Sequence, residues 1–150
     1  MKSNEFVYTT YIRSSAQKVW DAITNPEFAR QYWMHGNVSD WKNGSQWKHV
    51  TKEGEVRIVG KVVESISPKR LVLTWADPAD KADESQVTFE IESLGDMVRL
   101  NVVHGNFKPA STMQGKVSMG WPLVLSNMKT FLEGGKPLDI WAWKTACSKA

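Results

Sequence analysis

The sequence predicts an α+β fold: an antiparallel sheet, two short helices after its first strand, and one long helix near the end of the chain. Three observations predict it. An alternating segment at residues 5–12 runs straight into two helical segments with their own capping residues. A series of strand-like runs follows, joined by connections too short for a parallel crossover. A helical stripe of large apolar side chains then closes the series at residues 120–135.

In "EFVYTTYI" (5–12), Phe6, Tyr8 and Ile12 share one parity and Val7, Thr9 and Tyr11 the other, so both faces of this strand are expected to be partly covered. Ser14-Ser15 offers an N-cap to "AQKVWDAIT", where Val19, Ala22 and Ile23 share a face. Asn25-Pro26 starts the second helix: asparagine caps, and proline sits in a first turn that does not need its N–H. Phe28, Tyr32 and Trp33 give that helix an aromatic side, and His35 follows in what reads as an exposed loop. Strands are predicted at "QWKHV" after an Asn43-Gly44 turn, and at 55–66 with a break at Gly60. Further strands fall at 70–76, at 86–92 and in "VRLNVVHGNF" (98–107). The acidic stretch 77–84 reads as a solvated loop. Pro122 allows a helix beginning at Trp121 or a longer one from about Thr112 bent at the proline; Met113, Val117 and Met119 favour the longer form. Gly134-Gly135 and Pro137 end it. Residues 1–150 are thus expected to form a single domain, with 137–150 a tail whose Ile140, Trp141 and Trp143 need cover from the domain or a partner.

Composition narrows the function. A formal charge of +3, spread without a basic stripe, gives no reason to expect a nucleic-acid partner. One cysteine, Cys147, precludes an internal disulfide framework. No signal-like opening and no membrane-length apolar run occur, so no membrane association is expected and the location is expected to be cytoplasmic. Eight tryptophans are the unusual quantity, and they either fill a core or line a pocket.

Catalytic motifs are not found. There is no Gly-x-Ser-x-Gly, no phosphate-binding glycine loop, and no His or Cys spacing suited to a metal, so no cofactor, metal site or catalytic residue is assigned. His49 shares strand parity with Trp47, and His104 with Val98, Leu100 and Val102. Both should face an apolar side, where an unpaired imidazole would cost about 1–3 kcal/mol, so each needs a partner. A backbone-bonded structural histidine, a ligand contact and a general acid or base all remain open.

Three stretches carry a resemblance: "SSAQKVWDAITNPEFARQYW", "VRLNVVHGNF" and "GWPLVLSNMKTFLEGGKPL". They are similar to the opening helices, penultimate strand and closing helix of the activator of Hsp90 ATPase homologue (AHSA1-like) family, within the START/Bet v 1-like superfamily. The resemblance implies a helix-grip fold, a curved sheet wrapped around the last helix with a cavity between. It implies no catalytic signature. In such a fold Trp33, Trp47, Trp75 and Trp121 would meet around the cavity, with His49, His104, Leu125 and Met128 on its walls and Met113 and Met119 as adaptable surface. The expected partner is a small apolar or aromatic molecule, and whether the protein is an enzyme stays open. The alternatives are a co-chaperone-like interaction module, acting or self-associating through the outer sheet face or Trp141 and Trp143, and a cyclase-type enzyme using His104.

Overall fold

The computed structural model describes residues 5–140. Strand β1 (Phe6–Ile12) leads into α1 (Ala16–Thr24) and α2 (Pro26–Tyr32). Six strands follow: β2 (His35–Val38), β3 (Gln46–Thr51), β4 (Val56–Ile66), β5 (Arg70–Asp77), β6 (Asp80–Leu94) and β7 (Met97–Gly105). Helix α3 (Met113–Leu132) comes last. All strand pairs are antiparallel, in the order β1-β7-β6-β5-β4-β3-β2, so the first strand pairs with the last. The sheet curls into a half-barrel around α3. This is the helix-grip architecture.

The helix starts form as their side chains dictate. Ser15 Oγ accepts from Lys18 N at 3.2 Å, and Asn25 Oδ1 accepts from Glu27 N at 2.9 Å, with Pro26 in the first turn of α2. Period-two patterning then decides which strand face meets α3. Val87, Phe89 and Ile91 on β6 and Val98, Leu100 and Val102 on β7 are buried. On β1, by contrast, only one face is covered. Val7 and Tyr11 lie exposed, because β1 is an edge strand and α3 packs on one side of it.

Several expectations need correction. The acidic stretch 77–84 is no loose loop: β5 and β6 run almost to their shared turn, with Asp77 paired to Asp80. Asp83 has a structural task there, since its Oδ2 accepts from Thr112 N at 3.2 Å at the start of α3. Thr112 makes no side-chain cap bond of its own, so an acid from the sheet caps the helix. His35 opens a strand, β2, that lacks the apolar alternation of its neighbours. This strand crosses α2 so closely that a Cβ at Gly36 would meet Pro26 Cβ at 2.9 Å. The longer form of α3, by contrast, is the one found: a single run from Met113 with Pro122 inside. Met119 points away from the core.

Gly60 does interrupt β4. Val59 pairs with Ala76 and Val62 with Leu73, but the two residues between them have no ladder partner on β5. The Thr74 carbonyl instead accepts the Trp47 indole N–H at 2.7 Å, and Lys61 N donates to Thr74 Oγ1 at 2.8 Å. A side chain at position 60 would strike that carbonyl.

Asn127, buried on α3, joins three segments. Its Nδ2 donates to Tyr32 O at 2.7 Å and Leu138 O at 3.0 Å, and its Oδ1 accepts from Leu138 N at 2.6 Å. The chain beyond α3 is thereby tied down, and Ile140 is buried. Trp141, Trp143 and Cys147 lie outside the described residues. Asn127→Ala should cost about 2–3 kcal/mol in urea unfolding, because buried backbone groups lose their partners. Asn127→Asp should recover little, as it can replace only the acceptor.

Candidate functional site

Between the first half of α3 and strands β3–β5 lies a pocket of about 270 Å³, open to solvent. Met113, Val117, Gly120, Trp121 and Val124 form its helical wall, at the three- and four-residue spacing that puts them on one face. The sheet contributes His49 from β3, Arg57 and Ile58 from β4, and Trp75 and Asp77 from β5. Trp33, just after α2, and His35 close one side, and Lys116 stands at the rim. Gly120 is notable for what it lacks. A Cβ there would have no atom within 4 Å, so the absent side chain leaves the pocket open.

The indoles form a connected set. Trp121 lies 5.6 Å from Trp33 and 5.3 Å from Trp75, and Trp75 lies 5.3 Å from Trp47, measured between ring centroids. Tilted and edge-on arrangements of this kind suit the ring quadrupoles. Beneath them a polar relay crosses the core. Trp121 Nε1 donates to His104 Nδ1 at 3.0 Å. That nitrogen must therefore be unprotonated, which puts the proton on Nε2, where it is donated to Ser85 Oγ at 2.8 Å. Ser85 passes its own proton to Trp75 O at 3.4 Å. Both imidazole nitrogens of His104 are thus in use. His104 crosslinks α3, β7 and β6.

His49 is arranged differently. Asn37 Nδ2 donates to Ile23 O at 2.7 Å, so the amide oxygen of Asn37 turns to His49 Nδ1, also at 2.7 Å. His49 Nδ1 is then the donor and Nε2 the lone-pair acceptor. No hydrogen bond among the described residues engages Nε2. The His49 ring stands 4.5 Å from Trp33 and 5.3 Å from His35. Burial, then the charges of His35 and Arg57, lower its pKa to about 3. Burial alone lowers His104 to about 3. Trp75 Nε1 is buried without a hydrogen-bond partner among the described residues.

Of the residues expected around a cavity, Trp33, His49, Trp75 and Trp121 line the pocket. Trp47, His104, Leu125 and Met128 are packed in the core behind it. His35, Arg57, Asp77, Lys116 and Gly120 were not foreseen as part of it. For the helical ones a signal existed, since 113, 117, 120 and 124 share a face with Trp121. For His35, Arg57 and Asp77, the placement depends on how strands far apart in sequence come together. Among the described residues no cluster of His, Cys, Asp or Glu suits a metal ion, and no helix is long and apolar enough to cross a membrane.

The family model for "Activator of Hsp90 ATPase homolog 1-like protein" matches residues 13–133. The chain belongs to that family. Among curated proteins no significant match is found. Solved structures share the fold. The Aha1 dimer from Colwellia psychrerythraea has a TM-score of 0.73 at 20% identity, covering 88% of this chain and 98% of that one. PFC0360w, an HSP90 activator from Plasmodium falciparum, has 0.72 at 22%, covering 85% and 95%. CalU16 from Micromonospora echinospora has 0.72 at 19%, covering 95% and 81%.

The two buried histidines set an acid limit. Unfolded, each takes up a proton near pH 6.5; folded, neither does until about pH 3. Their contribution is complete above pH 6.5 and is lost as pH falls from there towards 3, by up to about 1.4 kcal/mol per pH unit for each ring. Denaturant unfolding between pH 7 and 4 should show this decline. His104→Gln, which keeps an acceptor for Trp121, should reduce the slope by one proton, and an unchanged slope would show that His104 is not the group titrating.

Proposed function

We propose that the protein binds a small apolar or aromatic molecule in the pocket between α3 and β3–β5. One observation carries this reading. The indoles of Trp33, Trp75 and Trp121 form a wall next to space that Gly120 leaves empty. Apolar walls with a few fixed polar groups are the usual makeup of a small-molecule site. Desolvation of ring and wall supplies the affinity. His49 Nε2 orients the guest by accepting a hydrogen bond from an N–H or O–H group on it. Trp47, His104, Leu125 and Met128 serve by holding the wall in place rather than by touch. His104, with both nitrogens spent, is a poor candidate for a general base, which weakens a cyclase-type reading. The reading takes residues 1–150 as one domain, with 137–150 a tail, in the cytoplasm, as the single cysteine suggests.

A titration with N-phenylnaphthylamine, read by energy transfer from tryptophan, tests it. Gly120→Phe should weaken uptake at least ten-fold with the melting temperature kept, since a phenyl group there enters open space. Equal uptake by the variant would place the probe elsewhere.

A second reading, a protein-interaction module, draws on the Aha1 dimer and the HSP90 activator that share this fold, and on the exposed Val7, Tyr11, Val63 and Ile66. Deleting residues 141–150 and measuring self-association by sedimentation separates its two surfaces. Loss of association would place the contact at Trp141 and Trp143, and retention at the exposed sheet.

A further inference from the structure

The pocket is not uniform from floor to mouth. Trp33, Trp75 and Trp121 at its depth are buried, while Arg57 and Lys116 at its rim are exposed. The rim carries two cations against one carboxylate, Asp77. Asp77 is occupied locally, with its Oδ1 accepting Ala79 N at 2.8 Å, and no ion pair among the described residues joins it to either cation. Lys116 has no ion pair among the described residues. Arg57 meets Glu55 through Nε at 3.4 Å, a pair exposed on both sides and correspondingly weak. The positive field reaches inward, since the Arg57 charge is among the causes that hold His49 neutral.

Resting on the ligand-binding reading above, we infer that the natural guest is an aromatic anion, its ring among Trp33, Trp75 and Trp121 and its carboxylate or similar acidic group at Arg57 and Lys116. The division of labour follows from solvation. The ring loses water on entering the indole wall, which is favourable. The acidic group stays at the wet mouth, where it keeps most of its hydration and meets cations that need not be desolvated to receive it. A neutral ring would forgo the second contact. A cation would face two like charges, and an anion placed deeper would lose its water and meet the acceptor nitrogen of His49.

Two probes of one skeleton test this: anilinonaphthalene sulfonate, which is anionic, and N-phenylnaphthylamine, which is neutral. The sulfonate should bind several-fold more tightly, and its advantage should shrink as salt is raised. Arg57→Gln and Lys116→Gln should each weaken the sulfonate roughly two- to five-fold and alter the neutral probe by much less. The double variant should abolish the preference, and Gly120→Phe should expel both probes. Equal affinity in the wild type, a preference that survives the double variant, or sulfonate binding that survives Gly120→Phe would overturn the anion assignment. In the first two cases the pocket itself would stand, with neutral binding still sensitive to Gly120. Binding of neither probe would end both readings together.

Discussion

The connection from Trp121 through His104 to Ser85 and the Trp75 carbonyl is the interaction on which the rest of the architecture depends. An indole N–H placed deep in a core must find an acceptor or cost stability. Here the acceptor is an imidazole on β7, whose opposite nitrogen reaches β6 and, through a serine, β5. Helix α3 is therefore held to three strands by directional bonds as well as by apolar contact. Hydrophobic burial alone would tolerate rotation of the helix by part of a turn. The relay does not, and it fixes which face of α3 looks at the pocket.

The same economy appears where β4 breaks. Gly60 lets the chains approach until no side chain fits, and the Thr74 carbonyl, without a ladder partner, takes the Trp47 indole instead. Trp47 then packs at a tilt against Trp75, and Trp75 against Trp121. The indole group is thus anchored at two points, one on the strand break and one on the histidine. Its rings are held beside the pocket by these two bonds. A preformed wall suits ligand binding, because little ordering remains to be done when a guest arrives.

Family membership adds a boundary. Proteins of the same architecture include one described as an HSP90 activator, at 22% identity, and CalU16, at 19%, so the scaffold persists where most side chains differ. The pocket of this chain carries its own set of side chains: none at Gly120, an acceptor nitrogen at His49, and cations at Arg57 and Lys116. Function on a common fold is decided at such positions.

Much of this was legible before any coordinates. Capping residues marked α1 and α2, alternation marked β1, most of β6 and β7, turn residues bounded β3 to β5, and the parity of His49 and His104 with apolar neighbours placed both inside. These are properties of local chain geometry, where a residue's face follows from its spacing. Apart from Lys116 and Gly120, whose place the helical spacing carried, the missed features involve partners distant in sequence. Strand β2 exists because β3 offers it a ladder and Gly36 lets it pass Pro26, and neither fact shows in "HGNV". The acidic stretch is a hairpin because β5 and β6 pair through to Asp77 and Asp80, and Asp83 from it reaches α3 across 29 residues. His104 and His49 were alike by parity, yet one is spent on both nitrogens and the other on one. Spacing along the chain decided which way each side chain points. Only the closing of the sheet around α3 decided what it meets there, because a hydrogen bond depends on where two atoms lie in space.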